Sequence, residues 1–299
     1  MKAFAALVHR EFIEHRGAFF IGPLLLVAVV VAMTVLAFTV GRVDVRITGS
    51  MATMLPGVVL FWPAMVLGVA WGLYLLAVLF FYCADGFAAD KRNNSMLFWK
   101  SMPVSDFRML LAKLAAAITI LPGAVYAVVL LSMALMLATA QIAMMINGTA
   151  AMSSLLGLVT IFWNVALIEL VQLLVSLLWY LPFMALVGAM AVVVGRWAIP
   201  LSLLLPTLAA TVEWVTLGGL HPFETRTWHY LSYRATMREA GMVDTWIADG
   251  PMGVDVNSGV AYALDLISRI DWLQVGIGIA FALGVLYLAS EYRRRAAAN

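Results

Sequence analysis

The sequence predicts an all-α integral membrane protein with six transmembrane helices, an amphipathic helix ahead of the first and an outer helical segment before the last. Three observations carry this. The 299 residues are 64% hydrophobic and 11% charged, with a mean hydropathy of +1.00, more apolar surface than one soluble domain can hide. Several runs of about 20 apolar residues, almost free of charge, have the length of a bilayer-crossing helix, whereas strands of a membrane barrel would alternate polar and apolar. The basic residues cluster in segments that the positive-inside rule places together in the cytoplasm. A net charge of +2 says little, and no nucleic-acid partner is expected. The single cysteine, Cys83, excludes an intrachain disulfide and a cysteine-based metal cluster. It reads as a small apolar residue near a helix end.

In chain order, residues 2–16 set Phe4, Leu7, Val8 and Phe12 at helical spacing, with Lys2, Arg10, Glu11, Glu14 and Arg16 around them. That pattern predicts an amphipathic helix on the membrane face. The apolar run after Gly17 continues well past the length of a signal core, so the segment is expected to stay attached and the first span to cover about 18–40. A short polar loop with Arg42, Asp44 and Arg46 ends at Pro56, and the second span follows from Val58 to Tyr82. Gly68 and Gly72 on it form a G-x-x-x-G, which lets another backbone approach closely and makes them candidates for a dimer seam.

The main long polar interruption in the first two thirds is Asp90 to Asp106, D-K-R-N-N-S-M-L-F-W-K-S-M-P-V-S-D. Charge comes first, in Asp90, Lys91 and Arg92. An apolar knot of Met96, Leu97, Phe98, Trp99 and Met102 follows, then Pro103 and a helix start at Ser105/Asp106. A bare connecting turn needs no such pair of aromatics. The third span begins near Phe107 and runs towards Met145, with a kink expected at Pro122.

Residues 153–194 are about twice one span in length by the 20-residue rule. Orientation resolves them. The basic N-terminal helix, the segment with Lys91, Arg92, Lys100, Arg108 and Lys113, and the terminal Arg293-Arg294-Arg295 all belong inside, so the number of spans is even. Residues 147–172 are therefore expected to be interfacial or re-entrant, and Leu173–Val194 to be the fourth span. Gly195-Arg196-Trp197 becomes a tight inner turn and Ala198–Leu217 the fifth span. The outer segment, residues 218–271, holds seven acids against four arginines. Its turn signals at His221-Pro222, Gly250-Pro251 and Asn257-Ser258-Gly259 make it wet, with a short helix over Trp228–Glu239. His221, Glu224 and His229 match no strong ligand spacing, and no metal is expected there. The sixth span, near 272–290, carries Gly276, Ala280 and Gly284 on one face, either for packing or as a second candidate seam.

Two carboxylates interrupt apolar stretches, Glu169 and Glu213. Ionisable groups inside a membrane are functional candidates, here for a translocation path, while a carboxylate at the membrane edge that touches water costs little. Enzyme signatures are absent: the chain has no G-x-x-x-x-G-K-[ST], H-E-x-x-H or G-x-S-x-G. ATP binding through the usual phosphate loop is excluded, and any pumping must draw on a partner or an ion gradient.

The 90–106 stretch, followed by a helix opening F-R-M-L-L-A-K, resembles the membrane-permease subunits of ABC transporters of the type-two exporter family. The match covers a small part of the chain; six spans and a larger outer segment before the last extend it. The resemblance implies a single transmembrane domain over 1–299 in the inner (cytoplasmic) membrane, with both termini cytoplasmic and 218–271 outside. Residues 1–16 would be the connecting helix and 83–108 the cytoplasmic coupling loop. Two such subunits pair, as a homodimer or with a paralogue, and separate ATP-binding subunits hold ATP and Mg, so no cofactor is expected on this chain. Asp90, Lys91, Arg92, Ser95, Met96, Leu97, Phe98, Trp99, Lys100, Met102 and Pro103 would dock on the ATP-binding subunit. The long 147–172 segment departs from the family plan. The other reading of the residues is an ion-gradient-driven transporter or a membrane scaffold without an ATPase.

Overall fold

Backbone groups that cannot reach water must be satisfied within the segment that carries them, and this chain meets the demand with helices. The computed structural model describes residues 2–39, 56–92, 104–146, 154–218, 221–236 and 259–296. Among them are no strands.

Helix α1 (Lys2–Arg16) runs without interruption into α2 (Gly22–Thr39) through one π-helical turn, Gly17–Ile21. Proline 23 explains that turn. The Gly22 amide bonds back five residues to the Gly17 carbonyl. Pro23 has no N–H to give the Ala18 carbonyl in the same register, and the Tyr74 hydroxyl donates to it instead, at 2.6 Å. The surface-lying helix expected for residues 2–16 is therefore continuous with the first span, and α1 packs on the third span, described next.

Helix α3 (Pro56–Arg92) is ten residues longer than expected at its end, which puts Cys83 inside the helix and fully buried. The third span is two helices, α4 (Asp106–Ile118) and α5 (Ile120–Ile146). Ser105 caps α4, its hydroxyl accepting from the Arg108 amide, and Asp106 sits in the first turn, where a negative charge is favoured. The break falls at Thr119 (φ −125°, ψ −84°), three residues before Pro122. Pro122 cannot donate to the Ile118 carbonyl, and its ring crowds that group, so the strain appears one turn upstream.

Helix α6 (Leu155–Val194) is forty residues long without a break, about 60 Å at 1.5 Å per residue. The segment expected to be interfacial or re-entrant over 147–172 is, where described, continuous with the expected fourth span. Ser154 caps its start, and Gly195, at φ +59°, ends it in a conformation that favours glycine. Beyond the 3-10 turn Gly195–Trp197 lies α7 (Ala198–Leu217). Helices α8 (Arg226–Thr236), α9 (Gly259–Arg269) and α10 (Trp272–Ala296) are the last among the described residues.

Five helical runs are long and apolar enough to cross a membrane, fewer than the six expected: Phe4–Leu36, Pro63–Ala89, Asp106–Ile142, Leu155–Leu217 and Trp272–Arg295. The fourth, 63 residues long, contains both α6 and α7. The chain is a multi-pass helical membrane protein.

Helix α6 is the axis, packed against α3 and α10 over long contacts and against α9, α7, α5 and α4. The main core gathers α3, α4, α5, α6 and α10 around residues such as Leu79, Phe87, Leu110, Leu121, Ala185 and Leu286. A second cluster joins the start of α3 (Phe61, Met65) to the end of α5 (Met133, Leu137) and the start of α6 (Ile161, Val165). A third sets Leu266 and Ile270 against Val175 and Trp179. The 218–271 segment is thus not simply wet: α9 lends an apolar face to the bundle, and Arg234 on α8 is only 2% exposed.

Helices α3 and α6 pack closely where Gly188 meets Phe87. A Cβ at Gly188 would lie 2.9 Å from Phe87 Cδ1, whereas one at Gly123 would meet nothing within 4 Å. Gly188→Ala is expected to lose about 1–3 kcal/mol to overpacking, read as a lower unfolding midpoint in detergent, while Gly123→Ala leaves the midpoint unchanged or raises it.

Candidate functional site

The G-x-x-x-G on α3 turns out to face a carboxylate. A Cβ at Gly68 would collide with Glu169 Oε1, so the absent side chain is what seats the Glu169 carboxyl group against α3. Gly72, one turn on, has nothing within 4 Å of its Cβ position and leaves a gap. The gap belongs to a cavity of about 180 Å³ between α3, α5 and α6, walled by Trp71, Tyr126 and aliphatic side chains, with Gln172 and Ser176 beside Glu169. The polar tips of the two aromatics are committed elsewhere. Trp71 Nε1 donates to Ser132 Oγ at 3.0 Å and the Tyr126 hydroxyl to the Ala166 carbonyl at 2.7 Å. Glu169 Oε1 is buried without a hydrogen-bond partner. Gly68 is therefore a buried helix–helix contact and no longer a candidate for a seam between copies. Gly276, Ala280 and Gly284 lie on the exposed face of α10.

A second polar cluster, which sequence reasoning missed, ties α1, α3 and α4 together. Lys113 Nζ lies 2.8 Å from Glu11 Oε1, with both side chains about 7% exposed or less. The Tyr82 hydroxyl donates to Glu11 Oε2 at 2.9 Å and also lies 3.2 Å from the Lys113 carbonyl. His15 stands edge-on to Tyr82, its ring 4.7 Å away. Near the end of α10, Arg293, 4% exposed, pairs with Asp106 at 3.3 Å. These contacts brace the start of α4, which follows the 93–103 stretch, and join it to α3, which precedes it. Lys113 had been counted only as one more inside charge, and Glu11 as part of a solvated face. The signal available was a lysine in the run L-L-A-K-L-A-A-A, where an unpaired charge would be costly.

Glu213 is occupied structurally. Its Oε1 accepts from the Arg226 amide and its Oε2 from the Thr227 amide, both at 3.0 Å, so the carboxylate caps the N-terminus of α8. The other end of α8 is held as firmly, Trp179 Nε1 donating to the Arg234 carbonyl at 2.7 Å and the Tyr180 hydroxyl to the Ala235 carbonyl at 2.8 Å. The Arg234 guanidinium lies over the Trp179 ring, 4.5 Å from its centroid, against Gly278, with Nη1 and Nη2 making no hydrogen bond.

Asp90, Lys91 and Arg92 form the last turn of α3 rather than part of a loop. Ser95, Met96, Leu97, Phe98, Trp99, Lys100, Met102 and Pro103 lie outside the described residues. His221 pairs with Glu224 at 3.2 Å, both exposed. Glu11, Glu14 and His15 bring ligand atoms within 4.8 Å of one another. Glu11 is committed to Lys113 and Tyr82, however, and Glu14 to Arg10, which argues against a metal site.

No family model, curated protein or solved structure matches the chain.

Removing one partner of a buried ion pair strands the other. Lys113→Met should therefore cost about 3–5 kcal/mol, measured as loss of thermal stability in detergent, and the double variant Glu11→Gln/Lys113→Met should recover most of it. Losses that simply add would show that the two groups are not coupled.

Proposed function

We propose that the chain is the membrane-embedded permease subunit of an ATP-driven exporter, working as a pair of subunits with ATP hydrolysed on a separate cytoplasmic partner. The observation that carries this reading is the brace around the 93–103 stretch. Helix α4 starts immediately after it and is fastened to α1 and α3 through Glu11, Lys113 and Tyr82, and to α10 through Asp106 and Arg293. A push on that stretch would pass into four helices at once, as coupling to an external motor requires. The composition of the stretch fits docking as well, since aromatic and methionine side chains at the centre of an interface carry most of its energy. In this reading Phe98 and Trp99 are the anchors, and Lys91, Arg92 and Lys100 steer the fit.

The reading also places six crossings in the inner membrane. The Leu155–Leu217 run crosses twice, turning at Gly195, and both termini and the 93–103 stretch are cytoplasmic. One observation favours the ion-gradient alternative, the partnerless Glu169 carboxyl group at a membrane cavity, since gradient-driven carriers keep such groups in their ion paths.

Two measurements test the proposal. In a Cys83→Ser background, cysteines at Ser232 and Asn299 should react with an impermeant thiol reagent from opposite sides of the membrane; reaction from the same side rejects the topology. Mild solubilisation should bring down an ATP-binding subunit with the chain. Phe98→Asp should weaken that association by about 2–4 kcal/mol and abolish the associated ATP hydrolysis while the permease still inserts. A variant that keeps both refutes the docking role.

A further inference from the structure

The cavity beside Glu169 is selective by construction. A buried carboxyl group in an apolar helix bundle is ordinarily matched by a lysine, an arginine or a set of donors, because an unpaired charge there is costly. Among the described residues nothing plays that part. The Trp71 and Tyr126 donors are already spent on Ser132 and Ala166, Gln172 and Ser176 bring no charge, and Oε1 has no partner. What remains is one carboxyl group, the neutral amide of Gln172 and hydroxyl of Ser176, two aromatic side chains and an aliphatic wall. That combination disfavours anions and suits a cation with an apolar body, which can meet the carboxylate and the aromatic and aliphatic wall together.

Size narrows the class further. At about 180 Å³ the cavity is smaller than the roughly 300–1,000 Å³ of sites for drug-sized ligands. Two groups on α3 shape it: Gly68 admits the carboxyl group, and the missing side chain of Gly72 leaves room beside it. Neighbouring Val69 and Leu73 are half or more exposed on α3, so the cavity sits beside a face of the bundle that meets lipid or a partner helix. A bare metal ion would find a single carboxyl group where it needs several oxygen ligands.

We infer that the Glu169 cavity is a binding site for a small organic cation, an alkyl- or aryl-substituted ammonium, with Glu169 as counter-ion and Trp71 and Tyr126 as its aromatic walls. The inference names a substrate class for the proposed permease and rests on that reading only for the idea that the bound cation is cargo; the binding itself belongs to this chain alone.

The test uses the full chain in lipid nanodiscs, without any ATP-binding partner, so that its outcome is independent of whether the chain couples to one. The probe is radiolabelled benzyltrimethylammonium in equilibrium dialysis, with protein-free nanodiscs subtracted. Its competitors are unlabelled probe, neopentylbenzene, which has the same shape with carbon in place of the charged nitrogen, and the anion phenylacetate. Saturable binding, displaced by the unlabelled cation and not by the neutral or anionic molecule, is expected. Glu169→Gln should weaken it by at least about tenfold while Glu169→Asp keeps part of it, as loss and retention of the counter-charge require. An unchanged thermal midpoint in Glu169→Gln separates this loss from misfolding, and Gly68→Ala, which displaces the carboxyl group without removing it, should weaken binding by a smaller factor. No saturable binding by the native chain, which would leave a proton as the partner of Glu169, overturns the inference. Equal competition by neopentylbenzene, or Glu169→Gln binding as well as the native chain, does so too.

Discussion

Forty uninterrupted residues of α6 constrain everything else in the bundle. A helix of that length exceeds the hydrocarbon thickness of a bilayer about twofold, so lipid alone does not account for its apolar surface. Protein does. Its first half is covered by the start of α3, the end of α5 and α9, and its second half by α3, α4 and α10. Because α6 is apolar all round, the helices it touches are held by shape, and small residues mark the closest approaches. Gly188 lies under Phe87 and Gly68 under Glu169, while Gly259 lies so close to Asn164 that a Cβ there would come within 2.9 Å of its Cα. Such contacts tolerate few substitutions, since packed interiors transmit volume changes instead of absorbing them.

Charge is distributed over this frame with economy. Two buried basic residues are matched by acids from other helices, Lys113 by Glu11 and Arg293 by Asp106. Glu213 is spent on the amides of α8. Buried ion pairs contribute little net stability against a well-packed apolar substitute, yet breaking one is expensive. Their effect here is to fix which helices lie together on either side of the 93–103 stretch. Two ionisable side chains stand apart, half-buried Glu169 at its cavity and buried Arg234 over Trp179, with no hydrogen bond to Glu169 Oε1 or to Arg234 Nη1 and Nη2. The first has room beside it for a ligand, which is why it carries the inference of a binding site.

Much of this was legible in the residues. Helix content, the cap at Ser105 and the turn at Gly195 all follow from local chemistry, and Glu169 stood out as a carboxylate in an apolar run. What failed did so for identifiable reasons. Residues 147–172 read as interfacial or re-entrant because hydropathy cannot separate burial against lipid from burial against protein, and the continuity of their described part with the next span shows only in the helix itself. Gly68 was singled out for the right physical property, close approach, but what approaches is a side chain of the same chain. Lys113 was masked by its agreement with the positive-inside rule, and Glu213 by its position within a span. Its role depends on the α8 amides thirteen and fourteen residues on, a contact that only the tertiary fold creates.

The proposed function ties the two polar regions together: the brace at the base receives the push, and the Glu169 cavity changes the side to which it opens. A single cysteine at Gly72, in the Cys83→Ser chain, would stand at that cavity and report its accessibility directly. In membranes containing the chain with its ATP-binding partner, the rate of reaction with a small impermeant thiol reagent should differ between the nucleotide-free and ATP-trapped states, falling on one side of the membrane as it rises on the other. A rate that is the same in both states on both sides would contradict the account.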